Sequence, residues 1–361
     1  MTALVAARIL NGEGGTSAAR AWLVVADGRI VATGTGDPPP DADDLGDALL
    51  APGFVDLQVN GAGRTDFATA SVDEIVAAVE ARAARGCTAS LLTICTAPLD
   101  AYGPMLERLA AARAARPDLV LGVHLEGPFL GGAPGAHPVE LVRPVDVEWL
   151  TGLCDRFGDL VRLVTLAPEA DPGLAGVTAL RERGVVVALG HSTVDYDGAR
   201  AAAAAGASLV THLFNGMGPL HHRAPGLAGA ALEDRRLTPS LIADGVHVHP
   251  ALLHLALTAR PDAVLVTDAV ATAGLVSARE GAAHLADGTL AGSTLEMIDA
   301  VQRVAALGLA PAAAVRCATG NPAAAIGARE RGRIAPGARA DLLELDPHTL
   351  AVRAVYVGGR K

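Results

Sequence analysis

Short apolar runs recur along the middle of the chain at intervals that are typical of strands alternating with helices. Eight of these runs have strand length, at positions 54–60, 87–95, 119–126, 161–167, 185–191, 208–215, 240–247 and 263–268. Alanine-, leucine- and arginine-rich segments of helical length separate most of them, for example 72–85, 102–113 and 195–205. Alternating strands and helices form parallel sheets, and eight strands close most economically into a barrel. The pattern therefore predicts an α/β fold with a (β/α)8 TIM barrel.

Both ends of the chain have a different pattern, with short strands and turns. AWLVVADGRIVATG alternates apolar and polar positions around Asp27-Gly28, a dipeptide that is typical of hairpins. GRIAPGARADLLELD and AVRAVYVGGR, from about Gly332 onward, have the same character. We therefore predict one small β domain built from residues 1–51 and 330–361, and a barrel domain that spans residues 52–329.

Composition and charge exclude several classes of function. Acidic residues outnumber basic residues by 39 to 29, which argues against a nucleic-acid surface but still allows one arginine to bind a small phosphorylated ligand. No apolar run approaches the ~18 residues of a membrane helix, and MTALVAARIL is a poor signal peptide. Lys361 is the only lysine, which excludes a Schiff base, a P-loop and a carbamylated lysine. We expect a cytoplasmic enzyme with no membrane or nucleic-acid partner.

Four ionisable residues fall at the carboxyl ends of predicted strands: Glu126, His191, His212 and Asp268. This is the end of a barrel that carries the active site. Two imidazoles and one carboxylate form the donor set of a catalytic zinc site, although Fe²⁺ or Mn²⁺ would also accept it. Each histidine taken alone could equally be a packed core residue. The set as a whole predicts a divalent metal, with Zn²⁺ as the first choice.

Asp268 is the candidate general base, because a metal-activated water needs a proton acceptor nearby. The alternative is that Asp268 caps the helix that follows it. On the first strand, an HxH pattern would supply ligands for a second metal. The corresponding positions hold Gln58 and Asn60, which are poor zinc ligands. Together with the missing interior lysine, they favour a single metal ion.

Three further residues are candidate substrate contacts. His137 lies in a glycine-rich loop after Glu126, Arg223 follows two histidines, and His247 ends a predicted strand. Arginine suits bidentate recognition of phosphate, although Arg223 could also be a solvated loop charge.

Eight sequence blocks occur in a fixed order between about residues 52 and 292. They are PGFVDLQVNG (52–61), HLEGPFL (124–130), GAHP (135–138), GHS (190–192), THLFNGM (211–217), PGLAG (225–229), ADGVHV (243–248) and VTDA (266–269). Together they resemble the N-acetylglucosamine-6-phosphate deacetylases of the amidohydrolase superfamily. The resemblance implies a β-sandwich formed by the two chain ends. It also implies metal-dependent hydrolysis of N-acetylglucosamine 6-phosphate to glucosamine 6-phosphate and acetate.

The resemblance also implies roles for individual residues. Glu126, His191 and His212 would be the metal ligands and Asp268 the acid and base, while His137 would help to polarise the acetyl carbonyl. The implied substrate contacts are Ala136, His137, Asn215, Gly216, Arg223, His247, Leu290, Ala291 and Gly292. Family members are typically homo-oligomers, often dimers, with the phosphate site close to the neighbouring subunit, so a homodimer is expected. Gln58 and Asn60 match the single-metal branch, whereas Gly216 stands where alanine is common.

Two alternatives stay open at this point. One is a related amidohydrolase that acts on another N-acyl substrate, such as N-acetylgalactosamine 6-phosphate, an N-acyl amino acid or a cyclic amide. The other is a catalytically silent barrel that binds a sugar phosphate, although a binder has no need of the proton shuttle that Asp268 would provide.

Overall fold

The computed structural model describes residues 2–272, 277–279 and 282–361. Its strands are, in chain order, β1 Thr2–Ala6, β2 Arg8–Ile9, β3 Ala21–Ala26, β4 Arg29–Thr35, β5 Asp43–Asp44, β6 Leu49–Pro52, β7 Phe54–Val59, β8 Gly61–Ala62, β9 Thr65–Asp66, β10 Cys87–Ile94, β11 Val120–Glu126, β12 Val161–Leu166, β13 Val186–Leu189, β14 Leu209–Val210, β15 Thr238–Ile242, β16 Val264–Val266, β17 Ser277–Arg279, β18 Ala282–His284, β19 Leu290–Ser293, β20 Leu342–Leu345 and β21 Val352–Tyr356.

Eight of these strands, β7 and β10 to β16, lie side by side in chain order as one parallel sheet. The sheet curls round so that its last strand meets its first. The Asp268 N–H donates to the Gln58 carbonyl (2.9 Å), and the Asn60 N–H donates to the Ala269 carbonyl (2.7 Å). These bonds close the barrel, which confirms the predicted fold class.

Each predicted barrel strand is present, but several of them end earlier than the apolar pattern does. The run at 208–215 contains only the strand β14, and the run at 263–268 only β16. The backbone leaves the extended region soon after these strands, with φ values of 30° at His212 and 47° at Asp268. Hydrophobicity continues past these points because the turns are buried, so the pattern alone overestimates the strand length.

Helices occupy most of the connections between the barrel strands and cover its outer surface. They are α1 Val72–Ala84, α2 Leu99–Ala115, α3 Val147–Phe157, α4 Ala175–Glu182, α5 Tyr196–Ala205, α6 Gly226–Glu233, α7 Pro250–Ala259, α8 Met297–Ala306, α9 Pro311–Cys317 and α10 Gly320–Ala325. The predicted helices at 72–85, 102–113 and 195–205 correspond to α1, α2 and α5. Within the described residues, no helix combines the length and apolarity that crossing a bilayer requires.

The two chain ends form a pair of four-stranded sheets with a hydrophobic core of their own. One sheet has the order β4-β3-β1-β5, and the other has the order β2-β6-β20-β21, so the second contains strands from both ends. Leu4, Leu23 and Ile30 from the first end pack in one cluster with Leu342 and Tyr356 from the second. The β-rich accessory structure is therefore confirmed. We propose that domain boundaries at 51/52 and 329/330 separate it from the barrel.

A buried ion pair lies at the closure of the barrel, close to the candidate site. The Arg82 Nη2 atom lies 2.6 Å from Asp56 Oδ2, and both side chains are buried. Asp56 also accepts hydrogen bonds from the Thr267 hydroxyl (2.5 Å) and backbone N–H (3.2 Å). The pairing satisfies a charge that would otherwise be costly to bury. It also fixes β7 against the segment that leads to Asp268.

Candidate metal centre and active site

Glu126, His191 and His212 converge on one point at the carboxyl end of the barrel. Glu126 Oε1 lies 3.1 Å from His191 Nε2 and 3.1 Å from His212 Nε2. The two Nε2 atoms are also 3.1 Å apart, and all three side chains are buried. Ligands around a tetrahedral Zn²⁺ lie about 3.3 Å apart when the bonds are about 2.0–2.1 Å long. The three donor atoms therefore fit one face of such a coordination sphere.

The electrostatics of this cluster also suit a cation. Burial acts against the ionised form of Glu126, but the close contacts with the His191 and His212 imidazoles hold the pKa of its carboxyl well below the usual value. Burial likewise disfavours charge on His212, yet the contact with Glu126 raises the pKa of its imidazole. The cluster thus stabilises a negative charge on Glu126 that faces a positive charge on His212. A divalent cation would satisfy the same balance.

The orientation of His191 matches that of a metal ligand. Its Nδ1 atom lies 3.1 Å from the Ala133 carbonyl oxygen, which can only accept a hydrogen bond. The ring proton is therefore on Nδ1, and the lone pair on Nε2 faces Glu126 and His212. A backbone carbonyl that holds the second nitrogen is a common support for ligating histidines. His191, like His212 and Asp268, has a positive φ, a conformation that costs about 1–3 kcal/mol and is typical of functional sites.

Asp268 lies next to this cluster, just after β16. Its Oδ1 atom accepts hydrogen bonds from Gln58 Nε2 (3.1 Å) and Asn60 Nδ2 (2.8 Å). The same Gln58 Nε2 group donates to Glu126 Oε1 (3.0 Å), so one amide ties the two carboxylates together. Burial and the charge of Glu126 raise the pKa of Asp268 to about 7. A carboxyl group with this pKa can both take up and release a proton near neutrality.

His137 extends over the cluster from the glycine-rich loop. Its ring centroid lies 4.3 Å from that of His191. The Thr96 hydroxyl lies 2.8 Å from His137 Nδ1, and the Thr96 N–H donates to the same atom (3.4 Å). A backbone N–H can only donate, so the ring proton is on Nε2. Burial, with a further contribution from His191, lowers the pKa of His137 to about 3, which makes it a neutral hydrogen-bond donor.

A cavity of about 660 Å³ opens above these groups, a size suited to a small-molecule ligand. All of the predicted substrate contacts except Arg223 line this cavity. They are Ala136, His137, Asn215, Gly216, His247, Leu290, Ala291 and Gly292. Arg223 lies outside the cavity and is exposed, with its Nη1 atom 2.8 Å from His222 Nε2. Among the described residues that line the cavity, none is a lysine or an arginine.

Several residues that support the site are absent from the sequence-based prediction. Thr96 holds His137, and Asp244 accepts a hydrogen bond from His247 Nδ1 (2.6 Å). The Cys95 Sγ atom lies 3.1 Å from Asn60 Oδ1 and 3.7 Å from Glu126 Oε2. Cys95 ends a predicted strand and Thr96 follows it, whereas Asp244 lies inside the predicted run 240–247, two residues after the observed end of β15. Applying the strand-end rule to uncharged side chains as well would have identified Cys95 and Thr96, whereas Asp244 was missed because the apolar pattern overestimates the length of its strand.

The sequence profile of the amidohydrolase family matches residues 49–361. This chain belongs to the amidohydrolase family. It is 38% identical to the N-acetylglucosamine-6-phosphate deacetylase of Bos taurus, over 88% of this chain and 84% of the relative. It is 37% identical to the N-acetylgalactosamine-6-phosphate deacetylase of Escherichia coli O157:H7, over 99% of this chain and 98% of the relative.

Solved structures agree with this placement. An aspartate-to-alanine mutant of the N-acetyl-D-glucosamine-6-phosphate deacetylase from Mycobacterium smegmatis, in complex with N-acetyl-D-glucosamine-6-phosphate, is 39% identical to this chain. It superposes with a TM-score of 0.92 over 99% of this chain and 98% of its own. The Thermotoga maritima N-acetylglucosamine-6-phosphate deacetylase is 28% identical, with a TM-score of 0.89 over 99% of both chains. The resemblance to this family of deacetylases is therefore confirmed.

Proposed function

We propose that this amidohydrolase hydrolyses the acetamido group of N-acetylglucosamine 6-phosphate to glucosamine 6-phosphate and acetate. The observation that carries the proposal is the convergence of Glu126, His191 and His212 on one point of a cavity that Asp268 and His137 also line. Relatives that are 37–39% identical over most of their length carry this activity or its galactosamine counterpart in their names.

In this proposal Glu126, His191 and His212 hold one divalent cation, with Zn²⁺ as the first choice and Fe²⁺ or Mn²⁺ as alternatives. When bound, such a cation supplies Lewis-acid polarisation of the acetyl carbonyl and lowers the pKa of a water molecule. Gln58 and Asn60 do not compete for the ion. Their amide groups instead donate to Asp268 and, in the case of Gln58, to Glu126. This arrangement supports one metal ion per subunit.

The side chains of the cavity provide the proton transfers. Asp268 takes a proton from the water as that water attacks the acetyl carbon. His137 keeps its proton and donates a hydrogen bond from Nε2–H to the carbonyl oxygen, where negative charge develops in the transition state. Asp268 then gives its proton to the sugar nitrogen as the carbon–nitrogen bond breaks, so the amine leaves in neutral form. One water is consumed, and one acetic acid and one amine are formed, which become acetate and an ammonium group when the acid proton passes to the amine.

Recognition of the phosphate is the least complete part of the site within one chain. Neither an arginine nor a lysine occurs among the described residues that line the cavity. We propose that Arg223 supplies the missing cation, from a rearranged loop or from a second copy of the chain in a homodimer. Asp244 would keep His247 oriented toward the same end of the sugar. A phosphorylated sugar as substrate agrees with the cytoplasmic location that the sequence predicts.

Release of acetate from four substrates tests the proposal: N-acetylglucosamine 6-phosphate, its galactosamine epimer, unphosphorylated N-acetylglucosamine and an N-acyl amino acid. We expect the highest kcat/KM with N-acetylglucosamine 6-phosphate. The epimer is the second candidate, because the Escherichia coli relative covers nearly the whole chain. A preference for the N-acyl amino acid, or tight binding of the sugar phosphate without acetate release from the zinc-loaded protein, would contradict the proposal.

A further inference from the structure

One carboxylate at the carboxyl end of the barrel does not line the cavity and is not part of the proposed chemistry. Glu169 follows β12, the barrel strand between the one that ends at Glu126 and the one that leads to His191. The glutamate is partly exposed, so its side chain does not fill the core. Its hydrogen bonds, rather than its burial, indicate what it does.

Glu169 accepts hydrogen bonds from two segments that both carry active-site residues. The backbone N–H of Gly132 donates to Oε1 (3.1 Å), and so does the backbone N–H of Thr193 (2.7 Å). The Ser192 hydroxyl donates to Oε2 (2.5 Å). Hydrogen bonds to an ionised acceptor are about twice as strong as hydrogen bonds between neutral groups. These donors hold the pKa of Glu169 below its usual value, although its partial burial opposes that shift.

The two segments that Glu169 joins are the glycine-rich loop that leads to His137 and the turn that follows His191. Two further contacts connect them: the Gly131 N–H donates to the His191 carbonyl (2.8 Å), and His191 Nδ1 donates to the Ala133 carbonyl (3.1 Å). The second of these contacts leaves the lone pair of His191 on Nε2. The position of the loop and the orientation of His191 are therefore mechanically linked.

The sequence of the loop fits this close approach. A Cβ atom on Gly131 would lie 2.1 Å from Glu169 Oε1, and one on Gly132 would lie 2.5 Å from the Thr193 hydroxyl oxygen. Neither glycine has a positive φ. With Glu169 and Thr193 in these positions, residues 131 and 132 must be glycine for space rather than for backbone conformation. The glycines allow the loop to reach Glu169 and the turn after His191.

We propose that Glu169 is a positioning residue, which fixes the loop that carries His137 against the segment that carries His191. It touches neither the proposed metal position nor the cavity. It acts through the N–H groups of Gly132 and Thr193 and through the Ser192 hydroxyl. The part of this inference that concerns turnover rests on the proposed deacetylase function, whereas the part that concerns loop order does not.

The test compares the wild type with Glu169→Ala, Glu169→Gln and the control Glu182→Ala, which removes an exposed acid at the end of α4. Hydrogen exchange followed by mass spectrometry is measured on peptides that cover residues 129–138 and 190–196. In Glu169→Ala we expect both peptides to exchange about tenfold faster or more, while peptides from the barrel strands keep their protection. Glu169→Gln keeps one oxygen for the two N–H groups, and the Ser192 hydroxyl can turn to accept from its amide, so exchange should be intermediate.

Kinetics with N-acetylglucosamine 6-phosphate provide the second readout. Loss of such supporting contacts typically costs about tenfold to a hundredfold in activity or metal affinity. We expect Glu169→Ala to lose this factor mainly in kcat, Glu169→Gln to recover part of it, and Glu182→Ala to match the wild type. Unchanged exchange of both peptides in Glu169→Ala would overturn the inference, as would faster exchange across the whole barrel. If the wild type itself releases no acetate, the proposed function fails, and the exchange data still decide the role of Glu169.

Discussion

The floor and the mouth of the cavity are built in different ways. At the floor, three donor atoms lie 3.1 Å from one another, and hydrogen bonds orient Asp268 and His137 around them. At the mouth, by which we mean the rest of the cavity wall, the lining includes small residues such as Ala136 and Ala291, and Arg223, the predicted phosphate ligand, is exposed and lies outside the cavity. The groups for amide hydrolysis are thus preorganised within one barrel, whereas those for binding the phosphate are not.

This difference follows from how each region is held in place. The three metal-site residues and Asp268 project from the ends of hydrogen-bonded parallel strands, so the barrel sets their positions, and Thr96, just after β10, holds His137 in place. The mouth depends on loops, which tolerate variation more easily than a barrel does. We therefore expect substitutions at the floor to abolish turnover and substitutions at the mouth to change substrate preference. The predictions below test that division, from the largest expected effect to the smallest.

The largest effect is expected from removal of a metal ligand. His191→Ala and His212→Ala each delete one of three donors, and Glu126 then faces the cavity with its charge poorly compensated. We expect metal content below half an equivalent per subunit, and kcat/KM at least about 10⁴-fold lower, since the Lewis acid is lost with the ion. Elemental analysis and acetate release measure both quantities. His254→Ala, on the exposed face of α7, is the control. Full metal retention by both ligand variants would show that the floor is not a metal centre.

Asp268→Asn should separate proton transfer from metal binding. The amide keeps the shape of the side chain and one acceptor oxygen for Asn60, but it cannot take up a proton. We expect metal content to stay at the wild-type level and kcat to fall by about 10²- to 10⁴-fold, the usual contribution of a general acid and base. Parallel metal analysis and kcat measurements are the readout. Activity within a few-fold of the wild type would remove Asp268 from the mechanism.

The same division explains what the sequence could predict. Polar residues at the carboxyl ends of barrel strands can be predicted from the sequence, because each of them closes a buried apolar run, as Glu126 and Asp268 do. The barrel, the β-rich ends and the family followed from such patterns and from the eight motifs, and these predictions are confirmed. The residue assignments at the site remain predictions until variants are measured.

Contacts between distant segments could not be read in the same way. The sequence identifies Gln58 only as a poor metal ligand. In the structure its amide donates hydrogen bonds to both Glu126 and Asp268, which lie 68 and 210 residues further along the chain. Glu169 is not among the residues predicted from the sequence, because nothing in its local sequence indicates hydrogen bonds with Gly132 or Thr193. Hydrogen bonds of this kind depend on the exact spacing of strands and loops, which periodicity does not encode.

The link between the two carboxylates provides the next prediction. Gln58→Leu removes the amide that joins Glu126 Oε1 to Asp268 Oδ1 and leaves two buried acceptors without that donor. We expect kcat/KM to fall by about tenfold to a hundredfold, with some loss of metal affinity, as is usual for groups that orient ligands. Zinc titration with a competing chelator, together with initial rates, checks both effects. Gln302→Leu, at a half-buried position on α8 that does not line the cavity, serves as control. Wild-type values for Gln58→Leu would leave Asn60 as the only support that Asp268 needs.

The smallest effect is expected at the mouth, where Arg223→Ala should leave the metal and the proton shuttle untouched. A charge-assisted contact with phosphate is worth about 1.5–3 kcal/mol, so KM for N-acetylglucosamine 6-phosphate should rise by about tenfold or more while kcat changes little. The unphosphorylated sugar has no group for Arg223 to bind, and its KM should stay as in the wild type. Arg235→Ala, another exposed arginine, is the matched control. If both substrates are affected equally, the phosphate contact lies elsewhere.

If the effect is specific, mixed oligomers decide whether Arg223 acts within its own chain. In a homodimer where the arginine crosses the interface, combining Arg223→Ala subunits with Asp268→Asn subunits places one intact site at half of the interfaces. At substrate concentrations well below KM, the rate per Arg223→Ala subunit would then rise above that of the Arg223→Ala protein alone, whereas an arginine that acts only within its own chain gives no such rise.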